Sequence, residues 1–395
     1  MTKNKDNRGN IMIIDSFLDS DLYKFSMQQC VLNQYPQTTV HYRFKCRNEG
    51  IKLGFLADRV REEVKHLAEV RLTADEKSYL QSLSFLTADY IDYLDNFQSN
   101  PDNVSINDNN GELEIDINGL WTETILFEVQ ILAIVNELYF QETSNFDTIR
   151  GGGIAKLKDK INLITQYPTL TIAEFGTRRR YSREWQRYVL QELLLRCPQV
   201  VGTSNVKLAM DFGIKAMGTQ AHEYISAHLS LVEDRRQAQK RSLHVWLQEY
   251  GMDLGIALTD TFTTEAFFED FDHVLARAFA GVRHDSGDPI KFGHDVIAHY
   301  KKLNIDPRTK VIIFSDGLDI PLAIKIFKEF TGRIGISFGI GTNLTNDLGV
   351  TPLNIVIKLI ECNNKPVIKL SDNPNKAIGD PAMIKIVKNM YNITI

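Results

Sequence analysis

Seven polar clusters between residues 170 and 345 gather the residue types that grip and transfer anionic groups. Arg178-Arg179-Arg180 sets three guanidinium groups side by side just after Phe175. Such a run repels itself unless anions or carboxylates neutralise it. It therefore reads either as a clamp for phosphates or a carboxylate, or as a solvated basic surface. Arg283-His284-Asp285-Ser286-Gly287-Asp288 packs an arginine and two acids around a glycine turn. Asp285 and Asp288 could hold ribose hydroxyls or Mg²⁺, and Arg283 an anion; a cap on the following helix would explain one of the acids but not the cluster. Ser337 to Thr342 is a glycine-rich stretch in which the amides around Gly341 and Thr342 could cradle a phosphate, a weak signal alone. Asp260 and Asp316 add acids in equivalent positions. His222 stands beside Glu223, and its type alone leaves ligand, base and nucleophile open.

Each cluster ends a short aliphatic run. The runs are TIAEF, QVV, KAM, GIAL, AGV, KVIIF and GISF, most of them followed by a helical stretch. Wholly aliphatic runs at this spacing predict buried parallel strands in βα repeats. A closed or nearly closed α/β barrel brings all seven strand ends, and so all seven clusters, to one mouth. An open doubly wound sheet ranks second.

The elements before the barrel predict a mixed α+β domain. Leu22, Phe25, Cys30 and Val31 give a helical stripe that must stop by Pro36. Val40, Tyr42, Phe44 and Cys46 alternate as in a strand with one buried face. Phe55 to Val70 is helical, Thr73 with Glu76 forms a capping box, and Val104 to Ile117 is a hairpin around Asp108 to Gly111. Gly151-Gly152-Gly153 marks a flexible joint or a surface loop. Asn354 to Cys362 and Pro366 to Leu370 form a second hairpin-like pair. The expected organisation is a tail at 1–10, an α+β domain at 11–140, a catalytic barrel at 141–353, and a segment at 354–395 that returns to the α+β domain.

Composition narrows the function classes. The 395 residues are 43% hydrophobic and 24% charged, with 45 basic against 50 acidic residues and a net charge of −5. That balance gives no footprint for nucleic acid or an anionic membrane, so any phosphate must be met locally. Four scattered cysteines form no zinc or disulfide pattern. The polar first ten residues lack an apolar signal region, and Ile125 to Phe140, interrupted by polar residues, reads as a buried helix. A cytoplasmic enzyme is expected.

In order along the chain, DSDLYKFSMQ, FGTRRRYSRE, VGTSN, MGTQAHE, GVRHDSGDP, FSDGLD, SFGIGT and PLNIVIKLIECN closely resemble the nicotinate phosphoribosyltransferase family, from near Phe17 to the C-terminus. The resemblance implies an irregular α/β barrel of about seven strands, of the type II phosphoribosyltransferase kind, with a smaller α+β domain. It implies transfer of a phosphoribosyl group from phosphoribosyl pyrophosphate to nicotinate, coupled to ATP and assisted by Mg²⁺. Tyr23 and Phe175 match the aromatics that sandwich the pyridine ring; Arg178 and Arg283, with Ser204 and Thr219 as neutral donors, match the groups around its substituent. Asp285 and Asp316 match the acids on the ribose, Gly341 and Thr342 the phosphate cradle, and Arg179 a phosphate-binding arginine. Asp260 is placed near pyrophosphate and Mg²⁺, and His222 matches a phosphorylated histidine that Glu223 would orient. The first aromatic would come from a neighbouring subunit, which makes a homodimer the assembly to test. Use of nicotinamide is the nearest alternative, opposed by Ser204 where the amide-using relative carries an aspartate. A non-catalytic pyridine-nucleotide sensor is opposed by intact His222, Asp260, Asp285 and Arg283, and a Schiff-base lyase by the lack of a lysine at any barrel strand end.

Overall fold

The computed structural model describes residues 12–373 and 376–393; the expected tail at 1–10 lies outside them. Alternating Val40, Tyr42 and Phe44 turn one face of strand β1 (Thr39–Cys46) inward. β2 (Val104–Asn109) and β3 (Glu112–Leu120) form the expected hairpin, and β3 pairs antiparallel with β1. Its turn has Asn110 and Gly111 at φ of 52° and 89°, the conformation that asparagine and glycine tolerate in tight hairpins. Thr73 and Glu76 exchange both bonds of a capping box at the start of the helix Ala74–Gln81. Helix Phe127–Thr143 is buried on nearly every side, as its mixed run of apolar and polar residues predicted.

The three consecutive glycines make neither joint nor loop, because they lie inside the helix Phe146–Ile164. Buried Leu157, Ile161 and Ile164 hold that helix to the core and outweigh the local cost of glycine. Gly151 and Gly152 face open space, whereas a Cβ on Gly153 would stand 3.0 Å from the Trp185 ring.

All seven aliphatic runs become strands. They are β4 (Ile172–Glu174), β5 (Val200–Thr203), β6 (Lys215–Ala216), β7 (Ile256–Leu258), β8 (Gly281–His284), β9 (Val311–Phe314) and β10 (Gly335–Ile340). They pair in parallel in the order β6-β5-β4-β10-β9-β8-β7. The sheet curls without closing: β6 and β7 share no ladder, and the Thr219 hydroxyl, just after β6, donates across the seam to the Ile256 carbonyl at 3.1 Å.

β11 (Ile355–Cys362) leaves the barrel and adds antiparallel to β1, with β12 (Lys365–Pro366) at its edge. Asn363 and Asn364, at φ of 51° and 56°, make the turn between them. Among the described residues only this first part of the C-terminal segment joins the antiparallel sheet. Beyond it the chain runs back along the barrel, where Leu370 N–H donates to Thr261 at 2.8 Å and Tyr391 stacks on Phe262 with centroids 5.5 Å apart. Among the described residues no helix is long and apolar enough to cross a membrane.

Two glycines test this packing in opposite directions. A Cβ on Gly281 in β8 would lie 1.9 Å from the Val311 carbonyl oxygen, against backbone that cannot rotate away. Gly281→Ala is expected to destabilise the protein by about 1–3 kcal/mol or more, read as a lower urea midpoint. Gly152→Ala, in open helical space, is expected to stabilise the protein by about 0.4–1 kcal/mol, read as a higher midpoint.

Candidate functional site

The strand ends open into one cavity of about 670 Å³, within the range of pockets that enclose small molecules. Phe175, Arg178, Arg179, His222, Arg283, Asp285, Asp316, Gly341 and Thr342 all line it. The barrel thus brings together nine of the thirteen expected site residues. The cavity is cationic: Arg47, Arg178, Arg179, Arg283, Lys358, Lys369 and Lys376 face Asp285, Asp316, Asp319 and Asp347. Burial, with Arg178 and Arg47 crowding beside it, pushes the Arg179 guanidinium down to about 10. Positive charge held this closely favours an anionic occupant.

Arg283 leaves the end of β8 in a fixed orientation. Its Nε donates to Ser315 Oγ at 2.9 Å and its Nη2 to Asp285 Oδ1 at 3.0 Å. Asp285 Oδ2 lies 2.9 Å from His222 Nε2, and His222 Nδ1 lies 3.0 Å from Thr261 Oγ1. Burial drives the His222 imidazole down to about 4, and the nearby Lys369 charge adds to the effect. Burial opposes ionisation of Asp285, but Arg283 and the His222 bond outweigh it and hold the carboxyl well below its usual range. The ring is therefore neutral at pH 7, and its proton sits on Nε2, facing a carboxylate.

Asp260 lies beneath this pair, fully buried. Its Oδ2 accepts from Ser286 Oγ at 2.6 Å and Ser371 Oγ at 3.2 Å, and pairs with Lys369 Nζ at 3.2 Å. Among the described residues its Oδ1 has no hydrogen-bond donor, and it lies 3.5 Å from His222 Nε2. One atom from each of His222, Asp260 and Asp285 falls within a 4.8 Å cluster. Two carboxylates, one with an unpartnered buried oxygen, suit a hard cation such as Mg²⁺; the imidazole nitrogen suits it less.

Several expected roles change. The Ser204 hydroxyl donates to Asp21 Oδ1 at 2.7 Å, and the Thr219 hydroxyl is spent on the β6–β7 seam; neither residue lines the large cavity or the small one beside it. A carboxylate, that of Asp21, already lies beside Ser204, which weakens the contrast with an aspartate at position 204. Glu223 does not orient His222: its Oε2 binds the ammonium of wholly buried Lys24 at 2.7 Å, and Thr261 holds the ring. Tyr23 and Phe175 border different spaces, Phe175 the large cavity and Tyr23 a small adjoining one, with Arg178 lining both. The Arg178 guanidinium carbon stands 5.8 Å over the Tyr23 ring. Asp288 is the helix cap that the simpler explanation required, accepting from the Ile290 and Lys291 amides.

Sequence reasoning missed the lysines. Lys358 comes from β11, and Lys369 and Lys376 from the C-terminal segment; Lys376 Nζ lies 2.7 Å from Asp316 Oδ1. The only hint was an isolated lysine within the apolar β11 run. Burial pushes Lys358 down to about 8, with Lys369 and Arg178 adding to it against the pull of Glu128.

The nicotinate phosphoribosyltransferase (NAPRTase) family model matches residues 170–395, and the model of that family's N-terminal domain matches 18–136. A nicotinate phosphoribosyltransferase of Cupriavidus necator is 48% identical over 389 residues, covering 97% of this chain and 99% of the relative. One of Burkholderia mallei is 46% identical over 391 residues, covering 97% and 98%. Among solved structures, the nicotinate phosphoribosyltransferase of Vibrio cholerae superposes with a TM-score of 0.92 at 40% identity, over 98% of this chain and 95% of that one. That of Porphyromonas gingivalis gives 0.91 at 39% identity, over 96% and 100%.

The buried histidines set a pH dependence. His222 and His228 both drop from an ordinary 6.5 to about 4, chiefly through burial. Between those values the unfolded chain binds more protons than the folded one, so stability falls as the pH is lowered from about 6.5 towards 4. The expected slope is about 1.4 kcal/mol per pH unit for each histidine. Urea midpoints between pH 7 and 4.5 measure it. His228→Gln should flatten the curve, and an unchanged slope would contradict burial as the cause.

Proposed function

Because the chain belongs to the nicotinate phosphoribosyltransferase family, we propose that it joins nicotinate to the ribosyl carbon of phosphoribosyl pyrophosphate, giving nicotinate mononucleotide and pyrophosphate for NAD salvage in the cytosol. The observation that carries this reading is the convergence of Phe175, Arg178, Arg179, Arg283, Asp285 and Asp316 on one cation-rich cavity. The ring nitrogen attacks the anomeric carbon as the bond to pyrophosphate breaks. Positive charge grows on the sugar and negative charge on the leaving group. Such a reaction needs placed reactants and a neutralised leaving group, and no protein nucleophile at the sugar.

Phe175 offers a flat face to the pyridine ring. Arg178 and Arg283 meet the nicotinate carboxylate or the phosphates, and the lysines of the cavity add charge for the pyrophosphate. This surplus of cations favours the acid over nicotinamide. A charge-assisted hydrogen bond is worth about 1.5–3 kcal/mol, or about 10- to 150-fold in selectivity. The ribose hydroxyls fall to Asp285 and Asp316, and the 5′-phosphate to the amides and hydroxyl at Gly341 and Thr342. Mg²⁺, when bound, offsets the charge of the pyrophosphate. Asp260 and Asp285 would hold it.

ATP enters through His222. Nε2 is the nitrogen on the cavity side, since its partner Asp285 lines the cavity and Thr261 does not. The proton must first move from Nε2 to Nδ1 through solvent, Nδ1–H then donating to Thr261 Oγ1. The freed Nε2 lone pair attacks the γ-phosphorus, the bond to ADP breaks, and a phosphohistidine forms. The new anion lies near Arg178 and Arg283 and tightens the hold on the sugar donor. A homodimer belongs to the same proposal. Within one chain Phe175 supplies one face to the large cavity while Tyr23 borders the small one, so the ring's second face is left for a neighbouring copy.

Pyrophosphate release from phosphoribosyl pyrophosphate is expected with nicotinate, faster with ATP, and at most weakly with nicotinamide. No release with nicotinate would overturn the reading. His222→Ala is expected to lose ATP hydrolysis and the acid-labile label from γ-labelled ATP, while slow ATP-independent synthesis persists. Thr261→Val should lower labelling about tenfold or more without abolishing synthesis. Label retained at full level in His222→Ala would place the acceptor elsewhere.

A further inference from the structure

The Phe175 ring rests on bare backbone. A Cβ built on Gly339 in β10 would lie 2.3 Å from Phe175 Cδ2, 2.4 Å from Cε2 and 3.1 Å from Cγ, and these are its three nearest atoms. Carbon atoms normally pack at about 3.5–4.0 Å. Any side chain at 339 would therefore push the ring by about an ångström or more. The backbone cannot carry the ring away, because it is pinned to the end of the same strand, so the ring itself must turn. Phe175 N–H donates to the Ile340 carbonyl at 2.9 Å, and Thr345 Oγ1 donates to the Gly176 carbonyl at 3.0 Å. Gly341 sits equally close, its virtual Cβ 2.7 Å from the Phe175 carbonyl oxygen. A displaced ring moves into the cavity that Phe175 and Gly339 both line.

Backbone strain does not account for the glycine. Gly339 pairs in regular parallel register with Ala173, and its φ is not positive, so alanine could adopt the same conformation. What the position excludes is volume. We propose that Gly339 is a positioning residue: by having no side chain it recesses the Phe175 ring against β10 and so sets the thickness of the slot that admits the substrate's planar ring. This rests on the assignment of Phe175 as the platform for the pyridine ring. It separates two tasks within one turn of chain, the slot being gauged by Gly339 and the phosphate met at Gly341 and Thr342.

A double-mutant cycle of Gly339→Ala and Phe175→Ala tests it, with kcat, the KM for nicotinate, the KM for phosphoribosyl pyrophosphate and the urea midpoint measured for all four proteins. Gly339→Ala is expected to raise the nicotinate KM about tenfold or more while the sugar-donor KM stays within about twofold. In the Phe175→Ala background, where no ring remains to be displaced, Gly339→Ala should add nothing. Additive effects, a shift confined to the sugar-donor KM, or an unchanged nicotinate KM in Gly339→Ala would each overturn the proposal. If Phe175→Ala itself leaves the nicotinate KM unchanged, the platform assignment fails first. A Gly339→Ser variant, larger in volume than alanine, should exceed the alanine effect; if it does not, volume is not the cause.

Discussion

The wholly buried pair of Arg180 and Asp19 joins two segments that border the cavities, the helix of Tyr23 and the run from Phe175 to Arg179. Both Asp19 oxygens accept from the guanidinium, at 2.7 and 2.8 Å, and Asn205 donates to the same carboxylate at 2.7 Å. Asp19 precedes the helix that carries Tyr23 and Lys24; Arg180 follows the two arginines that line the cavity. Removing either partner would leave an uncompensated buried charge, a loss of about 3–5 kcal/mol. With the pair intact, Phe175, Arg178 and Arg179 have a fixed anchor within five residues of chain. The charge cluster thus divides its labour: its last arginine builds, and its first two face the cavity.

The same logic extends to the acids. Glu174, under Phe175, is fully buried, and burial raises it above the usual carboxylate range; Thr203 and Gln186 bind it at 2.6 and 3.0 Å. Its bonds lie inward, fixing strand ends relative to one another. Asp260 is held by Ser286, Ser371 and Lys369 through a single oxygen, which leaves the other facing His222. Lys24, between Glu128 at 2.5 Å and Glu223 at 2.7 Å, closes the layer behind the cavity. Networks of this kind are costly when incomplete, so each charge on the cavity side depends on a satisfied one behind it.

The barrel was legible in the sequence because a buried parallel strand is aliphatic on both faces and its end cluster is polar. Both signals are local, and all seven runs carried them. Most of the cavity residues were legible for the same reason, as Arg283 and Asp285 illustrate: strand end and site coincide. Three things were not. Glycines 151–153 followed local preference into a joint, whereas tertiary packing by Leu157, Ile161 and Ile164 made a helix. The roles given to Ser204 and Thr219 as ligand donors, and to Glu223 as the group orienting His222, assumed that proximity in a motif means contact, but their partners, Asp21, Ile256 and Lys24, are distant in sequence. Lys369 and Lys376 reach the cavity only because the chain returns to the barrel after β12, and no periodicity announces such a return.

That return gives the antiparallel sheet a part in the site. β11 pairs with β1 from Val40 opposite Cys362 to Cys46 opposite Ile355, with a register shift between His41 and Tyr42. Its Lys358 lines both cavities, while the alternate residue Ile357 borders only the small one. Strand side chains change face at every residue, so a slip of one position would replace this cation with an aliphatic group. Arg47, just past β1, is held by its amide to the Asn354 carbonyl at 2.9 Å and reaches the same cavity. The barrel supplies the acids and the aromatic face; the sheet and the strap that leaves it supply much of the positive charge. The cation-rich lining of the cavity therefore exists only when β11 is paired in one register. This makes the β1–β11 ladder as much a determinant of the site as the barrel strands themselves.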